Sequence, residues 1–237
     1  MDLEKQPNNS SKIERSRLPG LTLECQILAE GMFALGAIKF GDFRWTFHND
    51  YPDAPIAPMY FEVRIIRRHP IFRNYPVDIL QGELRGLKFD MIADVPTAIT
   101  PTIALLAERL GVGMVSPRKE RKGKGSGALV DGFLPEDNGE IVVLIDDVLS
   151  RGDSKLILAE NLKKEGATVK DIVVLMDYEI GGSLVLEQSG YKVHSVFTVS
   201  QLLDYLYLSG KISLSKYRKT LQILSNIRDF FKEVDKK

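Results

Sequence analysis

The chain has 237 residues, of which 44% are apolar and 27% charged, ordinary values for a globular protein with a well-buried core. Basic and acidic residues balance at 32 each, so no overall basic field exists to hold nucleic acid. One cysteine, Cys25, and three scattered histidines exclude an intrachain disulfide and a zinc site. Because no apolar run approaches a membrane span and no apolar leader is present, we expect a soluble cytoplasmic protein.

The N-terminal part predicts an arm, a helix and a small cap over the rest of the chain. Residues 1–20 are polar and end in Pro-Gly, which is typical of a flexible arm. Apolar residues with helical spacing over 21–36 predict an amphipathic helix that begins near Thr22. Residues 36–68, which we call the hood, contain a glycine-rich segment with two phenylalanines suited to wall a flat ring, then a predicted strand at 59–66.

The rest of the chain alternates between apolar runs and helical patterns. The predicted strands lie at 88–94, 112–116, 141–146, 171–177 and 193–198. The predicted helices lie at 77–87, 102–110, 155–165, 184–190, 199–208 and 213–231. Four of the five residues at 141–145 are β-branched and show no alternation, which indicates a central strand buried on both faces. We therefore expect an α/β fold with a five-stranded parallel sheet flanked by helices and joined by right-handed crossovers.

An acidic pair stands where the central strand ends. Asp146 and Asp147 precede a Ser-Arg-Gly-Asp-Ser turn at 150–154 and then a helix. Ligands of open α/β sheets bind beyond the carboxyl ends of strands, and backbone N–H groups before a helix make an anion site. Carboxylates for hydroxyls or a metal, next to a phosphate cradle, indicate a sugar-phosphate site. The alternative is a core strand whose terminal Asp or Ser merely caps the next helix.

A basic, glycine-rich segment occupies 118–127. Five cations and one carboxylate fall within seven residues, and glycines follow, which indicates a mobile loop suited to close over a polyanion and release it. Composition alone also fits a solvated charge run or a nucleic-acid patch. A Walker P-loop is excluded because neither Gly-Lys pair is followed by Ser or Thr, and no Gly-x-Gly-x-x-Gly occurs.

The order and length of 141–154 resemble the phosphoribosyl pyrophosphate (PRPP) signature of type I phosphoribosyltransferases. In that family the acidic pair holds the ribose hydroxyls and the following loop wraps the 5′-phosphate. The resemblance implies PRPP binding by Arg118, Lys119, Lys122, Lys124, Asp146, Asp147, Val148, Leu149, Ser150, Arg151, Gly152, Asp153 and Ser154. The chain departs from the pattern at Arg151, which adds a cation near phosphate, and at Asp153, which we expect to point outward.

Two further segments, 36–43 and 118–127, resemble the hood and loop patterns of orotate phosphoribosyltransferases, Gly-Ala-Ile/Leu-x-Phe-Gly-x-Phe and Arg-Lys-Glu-x-Lys-x-His-Gly-x-Gly. This resemblance implies Asp146, Asp147, Lys119 and Lys122 as catalytic residues, Thr97 and Ala98 as the pyrophosphate loop, and Lys39, Phe40, Phe43 and Tyr178 as the base pocket. It also implies Mg²⁺ as a cofactor carried by PRPP and not bound directly by the protein. A homodimer whose basic loop is shared across subunits is implied as well.

Three positions depart from the orotate pattern: Thr46 and Tyr178 replace a lysine and an arginine that contact the base, and Lys124 replaces a histidine. The pKa of an exposed lysine is about 10, so Lys124 keeps a positive charge at that position but does not replace the histidine as a proton donor. Four hood arginines offer compensation, namely Arg44, Arg64, Arg67 and Arg68, and Trp45 adds a stacking surface. From the lost contacts we expect detectable but poor orotate turnover, with another base preferred.

These observations predict a transferase that moves the 5-phosphoribosyl group from PRPP to a nucleobase, with orotate named by resemblance, in pyrimidine biosynthesis. Two alternatives stay open: a phosphoribosyltransferase for a different base, and a PRPP-sensing regulator or pseudoenzyme with the same fold. The expected division is 1–20 flexible arm, 21–76 N-terminal helix and hood, 77–204 PRPP-binding α/β core and 205–237 C-terminal helices.

Overall fold

The computed structural model describes residues 20–121 and 127–236, and within them the strands form two sheets. The strands are β1 (Ile38–Phe43), β2 (Ala57–Phe61), β3 (Met91–Asp94), β4 (Gly113–Pro117), β5 (Val130–Asp131), β6 (Val142–Leu149), β7 (Asp171–Asp177) and β8 (Lys192–Thr198). The α-helices are α1 (Leu23–Ala34), α2 (Pro70–Glu83), α3 (Thr100–Leu110), α4 (Asp153–Lys164), α5 (Gly182–Gln188), α6 (Val199–Leu208) and α7 (Leu214–Val234). Almost all of the predicted arm, residues 1–19, lies outside the described residues.

The larger sheet has six strands in the order β5-β4-β3-β6-β7-β8. Five of them, β4, β3, β6, β7 and β8, run parallel as predicted. The sixth, β5, pairs antiparallel with β4 at one edge, so the predicted count of five strands was wrong. β5 is only two residues long, too short to leave a periodic signal in the sequence.

The central strand β6 explains the uninterrupted apolar run in the sequence. Val143 and Ile145 point into the apolar cluster on one side of the sheet, and Val142 and Leu144 into the cluster on the other side. All four side chains are completely buried. A strand covered on both faces needs apolar residues at every position, and its carboxyl end lies in the middle of the sheet edge.

The hood is a two-stranded antiparallel sheet of β1 and β2 followed by a 3₁₀ helix, Val63–Arg68. The predicted strand at 59–66 therefore ends early, at Phe61. α2 begins at Pro70 and not at 77, because a proline suits the first position of a helix, where its missing N–H is not needed. α1 matches its prediction, with Thr22 as the N-cap that accepts a hydrogen bond from the Cys25 N–H.

The C-terminal helices pack against the hood and the sheet as parts of one hydrophobic core. α6 and α7 bury Leu206, Ile227 and Phe231 in the cluster that also contains hood and sheet residues. The Phe231 ring forms T-shaped contacts with the rings of Phe47 and Tyr51 at centroid distances of 4.9 and 5.4 Å. The boundaries proposed between hood, core and C-terminal helices stay predictions. No helix in the described part of the chain combines the length and the apolar character needed to cross a bilayer.

Candidate active site

A cavity of about 480 Å³ lies between the hood and the carboxyl ends of β3, β6 and β7. Its walls come from four places: the loop after β3, the acidic pair and turn after β6, Tyr178 after β7, and hood residues around Trp45. Lys119, at the start of the basic segment, also lines it. The cavity therefore stands where ligands of parallel sheets bind, and it collects residues far apart in the chain.

The acidic pair is buried, and its two carboxyl groups have different surroundings. The Asp146 Oδ2 accepts a hydrogen bond of 2.5 Å from the Lys155 ammonium, and the two side chains are 7% and 5% exposed. The Asp147 Oδ1 accepts a 2.8 Å hydrogen bond from the Val148 N–H. Burial and the adjacent Asp146 charge raise the pKa of Asp147 to about 8. The cavity thus holds an ion pair beside a carboxyl group that is mostly protonated at neutral pH.

The turn between β6 and α4, residues 150–152, is fixed by glycine packing. Gly152 adopts φ 89°, and a Cβ there would lie 3.3 Å from the Gly182 carbonyl oxygen. A Cβ on Gly182 would lie 2.1 Å from the Ser150 carbonyl oxygen, so only glycine permits this approach. The turn leads directly into α4, whose first N–H groups have no partners within the helix and belong to residues that line the cavity.

The structure brings most of the predicted PRPP residues to the cavity. Its lining includes Ala98, Lys119, Asp146, Asp147, Val148, Ser150, Gly152, Asp153 and Ser154. Asp153 is exposed and also lines the cavity, so its expected outward orientation stays a prediction. Lys122 and Lys124 lie outside the described residues, so their predicted roles stay predictions.

Three predicted PRPP residues point away from the cavity. The Arg118 guanidinium donates to the Asp131 carboxylate of β5. The Arg151 guanidinium turns toward the C-terminal helix, where it contacts Asp235. Leu149 is completely buried beneath the turn. Each of the two cations has an acidic partner elsewhere in the chain, which the linear sequence does not reveal.

The loop after β3 is held from the hood by Arg67. Its guanidinium donates to the carbonyl oxygens of Thr97 and of Ala98, the latter at 2.9 Å. Ala98 lines the cavity, whereas Thr97 is not among the lining residues. Arg67 therefore supports the predicted pyrophosphate loop and is not available to compensate for a lost base contact.

Of the predicted base pocket, only Tyr178 lines the cavity. Lys39 pairs with Glu62 on the exposed side of the hood at 3.4 Å. Phe40 lies 5.2 Å from the Lys216 ammonium of α7, and Phe43 packs against Tyr60. None of these three side chains lines the cavity, so the prediction that Lys39, Phe40 and Phe43 wall the base stays a prediction.

Tyr178 joins the sheet to the hood. Its hydroxyl accepts a 3.1 Å hydrogen bond from the Phe61 N–H, and its ring packs on Trp45 with centroids 4.1 Å apart. Burial raises the pKa of the Tyr178 phenol above its usual range, so the side chain stays neutral. Arg44 and Arg64 of the hood line the same cavity and supply cations near this neutral wall.

Sequence reasoning missed Lys155 and Asn161, both on α4. Lys155 forms the ion pair with Asp146 described above. The buried Asn161 amide donates to the carbonyl oxygens of Arg118 at 2.7 Å and Lys119 at 3.2 Å, which fixes the start of the basic segment. Helical spacing offered one signal: Lys155 falls in the first turn of α4, close to the acidic pair. Asn161 left no such signal.

Comparison with known protein families finds no family profile that matches the chain. Two proteins named orotate phosphoribosyltransferase are similar to it along nearly their whole length. The one from Pyrobaculum aerophilum is 30% identical over 195 residues, which cover 82% of this chain and 96% of the relative. The one from Pyrobaculum islandicum is 31% identical over 202 residues, covering 85% and 100%.

Longer relatives match as well. The bifunctional enzyme PyrF/PyrE of Nostoc sp. is 34% identical over 182 residues, which cover 77% of this chain and 36% of that protein. The chain thus spans little more than a third of this relative. Among solved structures, UMP synthase of Leishmania donovani has a TM-score of 0.70 at 26% identity, covering 88% of this chain and 42% of the other. Orotate phosphoribosyltransferase of Aeropyrum pernix has 0.64 at 26%, covering 76% and 98%. By these similarities of sequence and fold, the chain belongs to the orotate phosphoribosyltransferase family.

Proposed function

We propose that the protein transfers the 5-phosphoribosyl group from PRPP to orotate, releasing pyrophosphate, as a step of pyrimidine nucleotide biosynthesis. One observation carries the proposal: the buried Asp146–Asp147 pair adjoins the turn at 150–154 inside a cavity that also reaches Ala98 and Lys119. Carboxyl groups, a phosphate cradle and a cation together match the hydroxyls, 5′-phosphate and diphosphate of PRPP. Relatives with the same fold are named for this activity.

The arrangement explains how the reaction is helped. Breaking the bond from ribose C1 to the diphosphate develops positive charge on the ribose and negative charge on the departing pyrophosphate. Asp146 and Asp147 hold the ribose hydroxyls, and the Asp146 carboxylate keeps negative charge near the sugar, while Lys119 neutralises the leaving group. The base binds near Tyr178. The protein therefore contributes mainly by positioning the two substrates and by placing fixed charges near the reacting atoms.

Mg²⁺ fits this site as a companion of PRPP. Among the described residues, no three acidic, histidine or cysteine side chains lie together as a ligand set. The Asp146 carboxylate is already paired with Lys155, which leaves the diphosphate oxygens as the better ligands for a hard cation. When bound, Mg²⁺ neutralises charge on the leaving diphosphate. Dependence on Mg²⁺ is part of the proposal, and titrating the ion against turnover tests it.

The assay that tests the proposed function is pyrophosphate release with PRPP and a panel of bases: orotate, uracil, adenine, guanine and nicotinate. We expect release with orotate and none with PRPP alone. Preference for a different base would support the second candidate, which the neutral residues Thr46 and Tyr178 favour. PRPP binding without release in any mixture would instead identify a PRPP sensor.

Arg44 and Arg64 are expected to read the orotate carboxylate. A charge-assisted contact contributes about 1.5–3 kcal/mol. Where Arg44 or Arg64 makes such a contact with the carboxylate, replacing it by methionine raises KM for orotate by roughly 10-fold to 100-fold. KM for PRPP stays within about threefold, since the arginines act on the base. Arg68→Met serves as the control, because Arg68 is exposed and does not line the cavity. Equal KM values for orotate in all three variants would remove this role.

We also propose a homodimer in the cytoplasm, in which the basic loop of one subunit serves the site of the other. Mixing inactive Lys122→Ala and Asp146→Asn proteins tests the shared loop, because Lys119, by contrast, lines the cavity of its own chain. Random exchange of subunits then creates hybrid dimers with one intact site, and about a quarter of wild-type activity returns. No recovery after verified exchange would place the loop and acidic pair of each site in one subunit. Subcellular fractionation tests the location.

A further inference from the structure

Arg151 sits in the middle of the phosphate turn, but its side chain is directed at α7. The guanidinium forms two hydrogen bonds with the Asp235 carboxylate, Nη1 to Oδ2 and Nη2 to Oδ1, both 2.8 Å long. The Arg151 side chain is 7% exposed, so this fork-to-fork pair is largely removed from water on the arginine side. Two residues 84 positions apart thereby connect the turn to the C-terminal end of the chain's last described helix.

Phe231 completes this contact one turn earlier in α7. The centre of the Arg151 guanidinium lies 4.2 Å from the centroid of the Phe231 ring. The other sides of that ring meet Phe47 and Tyr51, and Phe47 lines the cavity. We call Phe231 and Asp235 the α7 brace, since they contact both the phosphate turn and the hood segment.

The position of Asp235 points to a purpose beyond the stability of α7. Asp235 follows the last residue of the helix, where the helix dipole disfavours a negative charge. Arg151 supplies the compensating positive charge, and its Nε has no hydrogen-bond partner among the described residues. Asp235 is therefore the acidic group that satisfies the buried arginine, and its loss leaves an uncompensated buried charge inside the turn.

The turn depends on such support because the 5′-phosphate is expected to bind to its backbone N–H groups. N–H groups bind a phosphate well only when they converge on one point. One support of the turn is the close packing of Gly152 against Gly182. Arg151 lies between Ser150 and Gly152, and the contacts of its side chain with α7 are a second support of the turn.

We propose that Asp235 is a positioning residue for PRPP: through Arg151 it holds the turn at 150–154 in the shape that receives the 5′-phosphate. The proposal rests on the proposed function and adds to it a role for α7, which lies outside the acidic signature. Asp235 itself does not touch the substrate. It affects PRPP binding through the Arg151 side chain.

The test measures PRPP binding by isothermal titration calorimetry and steady-state kinetics in Asp235→Asn, Asp235→Glu and the control Glu233→Gln. Glu233 is an exposed carboxylate on the same helix. We expect Asp235→Asn to raise Kd and KM for PRPP about tenfold or more, with kcat within about threefold. Asp235→Glu should recover most of the loss, and Glu233→Gln should match the wild type. Equal Kd values for wild type and Asp235→Asn overturn the positioning role, whereas absence of PRPP binding by the wild type overturns the proposed function itself.

A double-mutant cycle covers the case in which Asp235→Asn fails to fold. Arg151→Met removes the buried charge, so adding Asp235→Asn to it leaves no unpaired arginine, and both proteins should fold. If Asp235 acts through Arg151, the second substitution changes the PRPP Kd of the Arg151→Met protein by less than about twofold. A further tenfold loss in that background would show a separate action of Asp235 and overturn the inference.

Discussion

Replacing Asp147 by asparagine is expected to stabilise the ligand-free protein and to weaken PRPP binding at the same time. The folded-state pKa of Asp147, about 8, lies far above the value of about 3.9 for an aspartate in an unfolded chain. Between these two values the unfolded state releases a proton that the folded state keeps. Stability from this group is therefore complete below about pH 4 and falls as pH rises toward 8.

Asparagine is neutral at every pH, so the free energy of unfolding of the variant does not fall with rising pH on account of this residue. We expect a gain of about 1–3 kcal/mol in the free energy of unfolding at pH 7 and a flatter dependence between pH 5 and 8. Urea unfolding of both proteins at pH 5 and pH 8 measures it. Asp153→Asn is the matched control, because Asp153 is an exposed carboxylate of the same signature. A variant no more stable than the wild type at pH 8 would contradict the raised pKa.

The same substitution should weaken PRPP binding by roughly 10-fold to 100-fold. Hydrogen bonds from bound ribose hydroxyls favour the ionised form of Asp147, which accepts stronger hydrogen bonds than an amide does. The Kd for PRPP is measured on the same protein preparation as the free energy of unfolding. Unchanged PRPP affinity in a folded Asp147→Asn protein would show that the acidic pair does not hold the ribose.

Replacing Lys155 by methionine is expected to have the largest effect on stability. Its ammonium is 2.5 Å from the Asp146 carboxylate, and both side chains are at least nine-tenths buried. Removing one partner of such a pair leaves an uncompensated buried charge, which costs about 3–5 kcal/mol. Thermal and urea unfolding of the variant measure this loss directly.

Two comparisons identify the cause of that loss. Lys163→Met breaks the pair with Glu160 on the same helix, where the side chains are 39% and 45% exposed, so it should cost about 1 kcal/mol or less. Adding Asp146→Asn to Lys155→Met removes the orphaned charge and should restore most of the stability. A double variant as unstable as Lys155→Met alone would assign the loss to packing and not to charge.

The sequence predicted the parts of the fold that short-range patterns encode. The apolar run at 141–145 indicated the central strand, and Gly111, which ends α3 with φ 67°, marked the helix end. The acidic pair and turn were placed at the cavity because they follow that strand directly. These predictions needed only neighbouring residues and the general geometry of parallel sheets.

The rest depended on partners far apart in the chain. The bond from Arg118 to Asp131 spans 13 positions, and the pair of Arg151 with Asp235 spans 84. No periodicity reveals such pairs, so both arginines were predicted to face PRPP. Lys155 had the opposite problem, because a lysine in the first turn of a helix is ordinarily exposed, and only the fold shows that it is buried against Asp146.

Trp45 gives the molecule an optical property of its own. It is the chain's one tryptophan, it lines the cavity, and its ring lies 4.1 Å from that of Tyr178. Its indole N–H donates to the Met59 carbonyl of β2, so the fluorophore is fastened to the hood while facing the cavity. Tryptophan emission from this protein therefore comes from one indole on the wall where the base is expected to bind. Ligand entry can be followed in solution as a change in intrinsic fluorescence, without any attached dye.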